Sequence, residues 1–580
     1  MSYKWNYRPI THEQEEISRI SQELEVSPII GQLLAQRGIT NTSEAEKFFH
    51  PQLTDLYDPF LMKNMKRAVE RLNKAMEKKE CILIYGDYDV DGTTAVALVY
   101  KFIRQFYSNL IYYIPNRYED GYGVSIKGID YAASEEVGLI IVLDCGIKAI
   151  DEIKYAKEKG IDFIICDHHV SEKELPEAII LNTKLEDNTY PYIHLSACGV
   201  GFKFMQAFAL NNGIDFQNLV PLLDLVAVSI ASDIVPIMDE NRILAYYGLK
   251  QLNSNPSIGL KAIIDICGLA NKELTINDIV FKIGPRINAS GRVQDGSETV
   301  DLLIEKDFSS AWEKGSRINE YNETRKDLDK NMTEEANQIV SQLEGLAERR
   351  SIVLYNEDWH KGVVGIVASR LTELFFRPAV VLTRTDNMAT GSARSVSGFD
   401  VYKAIEYCRD LLQNFGGHTY AVGLSMKVEN VQTFNKRFEE FVSTHILPEQ
   451  IYPVIDIDSE INFKDITAKF FSDLKMFNPY GPENWNPIFC TRNVYDYGTS
   501  KVVGRDREHI KLELVDNKSN KVMNGIAFGQ SSQVRYIKTK RSFDICYTIE
   551  ENAHKKGEVQ LLIVDIQPST VSNQSSCISE

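Results

Sequence analysis

The sequence predicts a mixed α/β chain: a parallel-sheet domain, joined by a long helix to a smaller α/β domain, with a small β-barrel at the carboxyl end. Three observations predict it. Short apolar runs alternate with helical stretches from residue 81 to about 239. Ile318, Tyr321, Leu328, Met332, Ala336, Ile339 and Leu343 then keep helical spacing among charged residues, uninterrupted by Pro or Gly. After Pro453 the pattern changes to short strands punctuated by turn residues. At 580 residues the chain exceeds a single core. The expected limits are 1–60 for an N-terminal segment, 61–315 for the parallel-sheet domain and 316–348 for the connecting helix. The second α/β domain is expected at 349–448, the barrel at 449–568 and a polar, disordered tail at 569–580.

In the first domain three apolar runs each end on acid. Cys81-Ile82-Leu83-Ile84 leads into Tyr85-Gly86-Asp87-Tyr88-Asp89-Val90-Asp91-Gly92. Leu139-Ile140-Ile141-Val142-Leu143 leads into Asp144-Cys145-Gly146, and Phe163-Ile164-Ile165-Cys166 into Asp167-His168-His169. Residues 93–107 and 150–159 read as the helices between these strands. Parallel sheets bind ligands beyond the carboxyl ends of their strands, where all three clusters fall. Clustered carboxylates repel and are costly to desolvate unless a cation compensates them. A polynuclear metal site is therefore expected.

The Asp triplet alone would read equally as a solvated turn. A calcium loop would need Glu at its twelfth position, which here falls in an apolar helical stretch. Asp-His-His offers imidazole nitrogen beside carboxylate oxygen, a mixture that suits Mn²⁺ or a similar borderline ion better than Ca²⁺. Leu225-Val226-Ala227-Val228-Ser229-Ile230-Ala231-Ser232-Asp233 is a fourth apolar run ending on acid; taken alone, Asp233 reads as a helix terminus or cap.

The second α/β unit opens with Ser351-Ile352-Val353-Leu354-Tyr355 and carries Gly391-Ser392-Ala393-Arg394-Ser395 and Gly416-Gly417-His418. Barrel strands are expected at 488–494, 501–503, 510–514 and 522–528.

Composition narrows the class. A net charge of −17 argues against a broad basic surface coating duplex nucleic acid, while leaving room for a local basic groove. Nine dispersed cysteines without a C-x-x-C pair point to reduced thiols rather than disulfides or structural zinc. No apolar run approaches membrane-spanning length and the first residues show no signal pattern, so no membrane association and a cytoplasmic location are expected.

The four acidic elements, in this order and spacing, resemble the DHH phosphoesterase superfamily, and within it the single-strand-specific DNA exonucleases. Further stretches carry the resemblance: Glu119-Asp120-Gly121-Tyr122-Gly123, Ser196-Ala197-Cys198-Gly199-Val200-Gly201, and Pro285-Arg286-Ile287-Asn288-Ala289-Ser290-Gly291-Arg292. Trp359-His360-Lys361-Gly362-Val363-Val364-Gly365 and Gly416-Gly417-His418 are similar to the DHH-associated domain, and Asn478-Pro479-Tyr480-Gly481-Pro482-Glu483-Asn484-Trp485-Asn486-Pro487 to the opening of an OB-like domain. The resemblance runs from about residue 30 to residue 567.

That resemblance implies a DHH-type parallel-sheet domain, a DHH-associated α/β domain and an OB-like barrel that binds single strands. It implies two ions, Mn²⁺ or Mg²⁺, with Asp144 bridging them. Asp87, Asp89 and Asp144 would hold one ion; Asp91, Asp144, His168 and Asp233 would hold the other. His169 would contact the scissile phosphate, and Asp167 would orient a neighbouring His. Asp144, His168 and His169 are the expected catalytic residues. Arg286, Asn288, Arg292, Arg394, Gly416, Gly417 and His418 are expected to bind phosphates; outside the motifs, each Arg would read as a surface salt bridge and the glycines as a turn.

The implied activity is metal-dependent 5′→3′ hydrolysis of single-stranded DNA to mononucleotides, in repair and recombination, by a monomer working with a single-strand-binding protein and a helicase. Three positions depart from the family: Val90 stands where alanine is common, Glu483 where glycine is, and Tyr85 where other members carry a metal-binding His. Two competing readings are a DHH hydrolase of small substrates and a catalytically dead scaffold. The barrel argues against the first and the intact Asp and His set against the second.

Overall fold

The computed structural model describes residues 3–10, 13–117, 119–343, 345–539, 541–552, 555 and 557–569. The tail expected from 569 therefore lies, apart from Ser569, outside the described residues. The chain divides into two compact units, Leu53–Tyr452 and Met1–Gln52 with Pro453–Glu580.

The larger unit begins with a five-stranded, wholly parallel sheet. Its order is Leu110–Tyr113, Cys81–Gly86, Val137–Leu143, Asp162–Cys166, Ile179–Leu181. Successive side chains alternate between two cores. Ile82, Ile84, Leu139, Ile141 and Ile164 face one, while Leu83, Ile140, Val142 and Ile165 face the other. Burial on both faces explains why these strands read as unbroken apolar runs.

Strand–helix alternation ends at Leu181 rather than near 239; from Ala197 to Ser341 the regular structure is helical. Leu223–Ser232 is a helix buried from Leu223 to Ala231, so its apolar residues surround the axis and leave no helical period to read. Beside it Lys203, fully buried, donates to Glu240 Oε1 (2.8 Å) and to the Tyr57 carbonyl (2.6 Å), while Tyr190 donates to Glu240 Oε2 (2.6 Å). Removing one member of such a pair leaves an uncompensated buried charge. Lys203→Met is therefore expected to cost about 3–5 kcal/mol, read as a lower urea midpoint; a change below about 1 kcal/mol would refute that role.

The connecting helix spans Phe308–Ser341, beginning before the expected residue 316. Asp307 caps it by accepting from the Ser310 amide at 2.8 Å. Gly315 lies inside it because a Cβ there would come within 2.9 Å of Ile266; the glycine marks a close helix contact, not a stop.

The second sheet has the order Leu412–His418, Ala421–Lys427, Met388–Arg394, Ala379–Thr385, Ile352–Tyr355. Only its last pair is parallel. Phe434 and Phe438 cover one face; Val364, Val367 and Leu371, with Met332, Ala336 and Val340 of the long helix, cover the other.

In the smaller unit five strands close a barrel: Phe489–Asp496, Phe543–Glu551, Val559–Pro568, Val522–Ala527 and His509–Asp516, the last pairing back with the first. The two longest, Phe543–Glu551 and Val559–Pro568, are absent from the expected set. Seven consecutive residues of the former are buried, which erases the alternation that marks a half-exposed strand. The N-terminal segment, expected to be separate and to reach residue 60, belongs with this barrel through residue 52. Lys4–Tyr7 pairs in parallel with Val454–Ile457, and Phe48 and Phe49 meet Phe477 edge-on. The eight described cysteines are unpaired, and among the described residues no helix is long and apolar enough to cross a membrane.

Candidate metal centre

Asp87 follows the strand Cys81–Gly86 directly. The next helix begins at Val90, not at the expected residue 93, because Asp89 caps it by accepting from the Gly92 amide at 3.0 Å. Asp91 thereby enters the first helical turn. A Cβ on Gly92 would sit 2.5 Å from the Asp87 carbonyl, so only glycine lets this loop fold back on the helix.

Asp144 follows the strand Val137–Leu143 directly, with φ +65°, a left-handed conformation that Asp and Asn adopt more readily than other non-glycine residues. Asp167 is fully buried and takes a structural part. It accepts from the amides of Ile147 (3.1 Å), His168 (2.7 Å) and His169 (3.0 Å), and from His169 Nδ1 (2.7 Å). That last bond leaves His169 Nε2 facing outward. Asp233 is the C-cap of Leu223–Ser232, where the helix dipole disfavours an anion. A carboxylate placed there needs positive charge from elsewhere.

The structure brings these residues together. Three overlapping groups, Asp87/Asp89/Asp144, Asp91/His168/Asp233 and Asp144/His168/His169, each have their ligand atoms within 4.8 Å of one another. His168 Nε2 lies 3.3 Å from Asp144 and 3.8 Å from Asp91, and its Nδ1 lies 3.6 Å from Asp233. Burial, followed by the neighbouring carboxylates, raises Asp87, Asp144 and Asp233 well above the usual carboxylate range and pushes Asp91 up to about 6. Burial lowers His168 to about 3, keeping the imidazole neutral, the form that ligates metals. Asp167 behaves oppositely. Burial raises it, but its hydrogen bond and charge interaction with His169 prevail and hold it at about 2.

The donor set fits divalent cations. Asp87 Oδ1 and His168 Nδ1 are buried without a hydrogen-bond partner, an arrangement that costs about 1–3 kcal/mol per group unless something satisfies it. Mn²⁺ at a hundredfold excess over its Kd is expected to stabilise the protein by about 2.7 kcal/mol. The melting temperature should rise and then fall on chelation; an unchanged melting curve would exclude the centre.

Tyr85 is no ligand. Its buried hydroxyl donates to the Gly123 carbonyl (2.9 Å) and accepts from the Ser125 amide (3.2 Å), pinning the loop that carries Tyr122. The Tyr122 hydroxyl lies 3.4 Å from both His169 Nε2 and the Asp144 carbonyl.

A cationic wall adjoins the carboxylates. Burial, then Arg117, Arg325 and Arg394, lowers Arg292 to about 10, with Asp89 acting in the opposite sense. Gly291 brings this helix close: a Cβ there would lie 2.5 Å from the Tyr88 carbonyl. Arg117 stacks 4.1 Å over Tyr88 and donates to the Gly291 carbonyl at 3.0 Å. Arg117, Arg325 and Tyr122 were not among the expected contacts; only Tyr122 lies within a motif read from the sequence. Arg394 Nη1 bonds the Ala393 carbonyl at 2.8 Å and also Ser392. Arg286 turns instead to the long helix, bonding Asn319 at 2.8 Å, while Asn288 presents a buried carbonyl oxygen without a partner.

On the second sheet His418 stacks on His169, with centroids 6.1 Å apart and planes 12° apart. Gly417 adopts φ +150° with no room for a Cβ, which would lie 2.2 Å from the Ala421 carbonyl. Gly416 is open on that side, leaving its backbone approachable.

Family models match three stretches: the DHH family N-terminal domain over residues 81–230, the DHHA1 domain over 348–444 and the RecJ OB domain over 457–565. Single-stranded-DNA-specific exonuclease RecJ of Bacillus subtilis is 35% identical over 510 residues, covering 87% of this chain; the chain spans 64% of that relative's length. The protein of the same name from Haemophilus influenzae is 30% identical, covering 93% of this chain and 96% of its own length. The crystal structure of RecJ in complex with Mn²⁺ from Thermus thermophilus shares the fold, with TM-score 0.84, 23% identity, and coverage of 98% of this chain and 80% of that one.

Proposed function

Since the chain belongs to the RecJ family of single-stranded-DNA-specific exonucleases, we propose that it hydrolyses single-stranded DNA from the 5′ end to mononucleotides, in DNA repair and recombination, with two Mn²⁺ or Mg²⁺ ions. One observation carries the hydrolytic part of this reading: six carboxylate and imidazole ligands from four distant stretches converge beside a cluster of arginines. Mixed oxygen and nitrogen donors suit Mn²⁺, and carboxylate-rich sites accept Mg²⁺.

Asp87, Asp89 and Asp144 would hold one ion, and Asp91, Asp144, His168 and Asp233 the other. When bound, the pair supplies charge stabilisation at the phosphoryl oxygens and acidifies the attacking water. Burial works against protonation of His169, yet its bond to Asp167 raises its affinity for the proton. Its Nε2 is thereby set to donate to a phosphate oxygen. Arg292 and Arg394 contact the phosphates as guanidinium forks, and Gly416, Gly417 and His418 close over them from the second sheet. The barrel tracks the strand by stacking and backbone charge. Polarity, the repair role, the monomeric state and working partners such as a single-strand-binding protein and a helicase are supported by family resemblance, not by geometry.

The test is digestion of one end-labelled strand in Mn²⁺ with each end blocked in turn. Arrest by a 5′ block alone supports the reading. Arrest by a 3′ block reverses the polarity, and equal cleavage of circular strands discards the exonuclease.

A further inference from the structure

Among the expected ligands Asp91 accepts the most hydrogen bonds, and the groups that hold it suggest a role for a residue outside the ligand set. Its Oδ2 accepts from the Ala197 amide (2.8 Å); its Oδ1 accepts from the Cys198 amide (2.9 Å) and from Ser229 Oγ (2.7 Å). A carboxylate has about four lone-pair sites. Three are taken, and the remaining one is on Oδ2, the oxygen 3.8 Å from His168 Nε2.

Ser229 sits one helical turn before Asp233, and both project toward the same group of ligands. Behind it Ser196 Oγ lies 2.6 Å from Ser229 Oγ and accepts from the Gly199 amide at 3.1 Å. Each hydroxyl has a single proton, and the carboxylate can only accept. Ser229 thus has one proton for two acceptors, Asp91 Oδ1 and Ser196 Oγ; the charged carboxylate is the stronger of them, and Ser196 stands against the same hydroxyl from behind. All three residues are buried, so water does not compete for these bonds.

Building on the metal reading above, we infer that Ser229 is a positioning residue: backed by Ser196, it fixes the Asp91 carboxylate so that Oδ2 faces the ion shared with His168 and Asp233. It touches neither substrate nor metal. Its effect passes through Asp91, as outer-shell partners of metal ligands act elsewhere.

The experiment measures Mn²⁺ binding to the metal-free, full-length protein by the EPR signal of unbound Mn²⁺, without substrate. Ser229→Ala is expected to weaken one of the two ions about tenfold and leave the other unchanged, with little change in metal-free melting. Ser229→Thr, which keeps the hydroxyl, should restore the affinity. Unaltered Mn²⁺ affinity in Ser229→Ala overturns the inference. Equal weakening in both variants also overturns it, because that pattern reports packing rather than the hydroxyl. If the wild-type protein binds no Mn²⁺, the metal reading itself fails and this inference with it, an outcome distinct from a difference between variants.

Discussion

Asp144→Asn is expected to lower the rate of hydrolysis by at least about 10³-fold while leaving the protein folded. Asp144 is the carboxylate common to two of the three ligand groups, so in the proposed two-ion centre its loss would affect both ions. Asn is the informative replacement. At φ +65° asparagine tolerates the left-handed backbone, whereas alanine would add about 1–2 kcal/mol of strain and confuse folding with chemistry. The metal-free protein should melt at the same temperature or higher. Two like charges 4 Å apart repel by about 4 kcal/mol at an effective dielectric constant of about 20, and a neutral amide removes one charge from a cluster where Asp89, Asp91, Asp87 and Asp233 all act on Asp144. The rise in melting temperature on adding Mn²⁺ should shrink in the variant. Hydrolysis retained within about tenfold of wild type would remove Asp144 from the centre.

The centre was legible where chemistry is written locally. A strand that ends on acid is visible in a few residues, and three such ends, with the fourth at Asp233, delimit the ligand set. Around the ligands, Asp167, Arg292, Arg394 and His418 came only through the family resemblance, and the rest was not legible, because it is built by packing between remote segments. Arg117 is tied to the site by Tyr88 and by the carbonyl of Gly291, a glycine that lets its helix lie against the Tyr88 carbonyl. Ser229 looks like any small residue of an apolar helix until Asp91 is found beside it. The same distinction holds for the fold. The parallel sheet follows from apolar runs alternating with helical stretches, and the long helix from its periodicity. The run ending at Asp233 is a helix whose burial on all sides hides its period, and Phe543–Glu551 is a strand hidden for the same reason. The pairing of Lys4–Tyr7 with Val454–Ile457 has no local signal at all.

That pairing decides how the two units must be separated to test what the barrel does. A protein reduced to Leu53–Tyr452 is expected to cleave very short oligonucleotides within about fivefold of the intact enzyme, yet to bind a long single strand at least about 100-fold more weakly, since each stacked base contributes about 1–3 kcal/mol. Removing only the residues after Tyr452 is the wrong experiment. It would strip Lys4–Tyr7 of its partner strand, Trp5 of its bond to Asp565, Arg37 of its bond to Asn484, and Phe48 and Phe49 of Phe477. Buried residues such as Ile17, Ile20, Leu33 and Leu34 would then belong to a segment without its barrel, and aggregation would be mistaken for lost binding. With both terminal segments removed, the larger unit keeps both of its sheets, the long helix, every ligand of the centre and the arginine wall. An equal loss on short and long substrates would then mean that the barrel supports the catalytic unit rather than holding the strand.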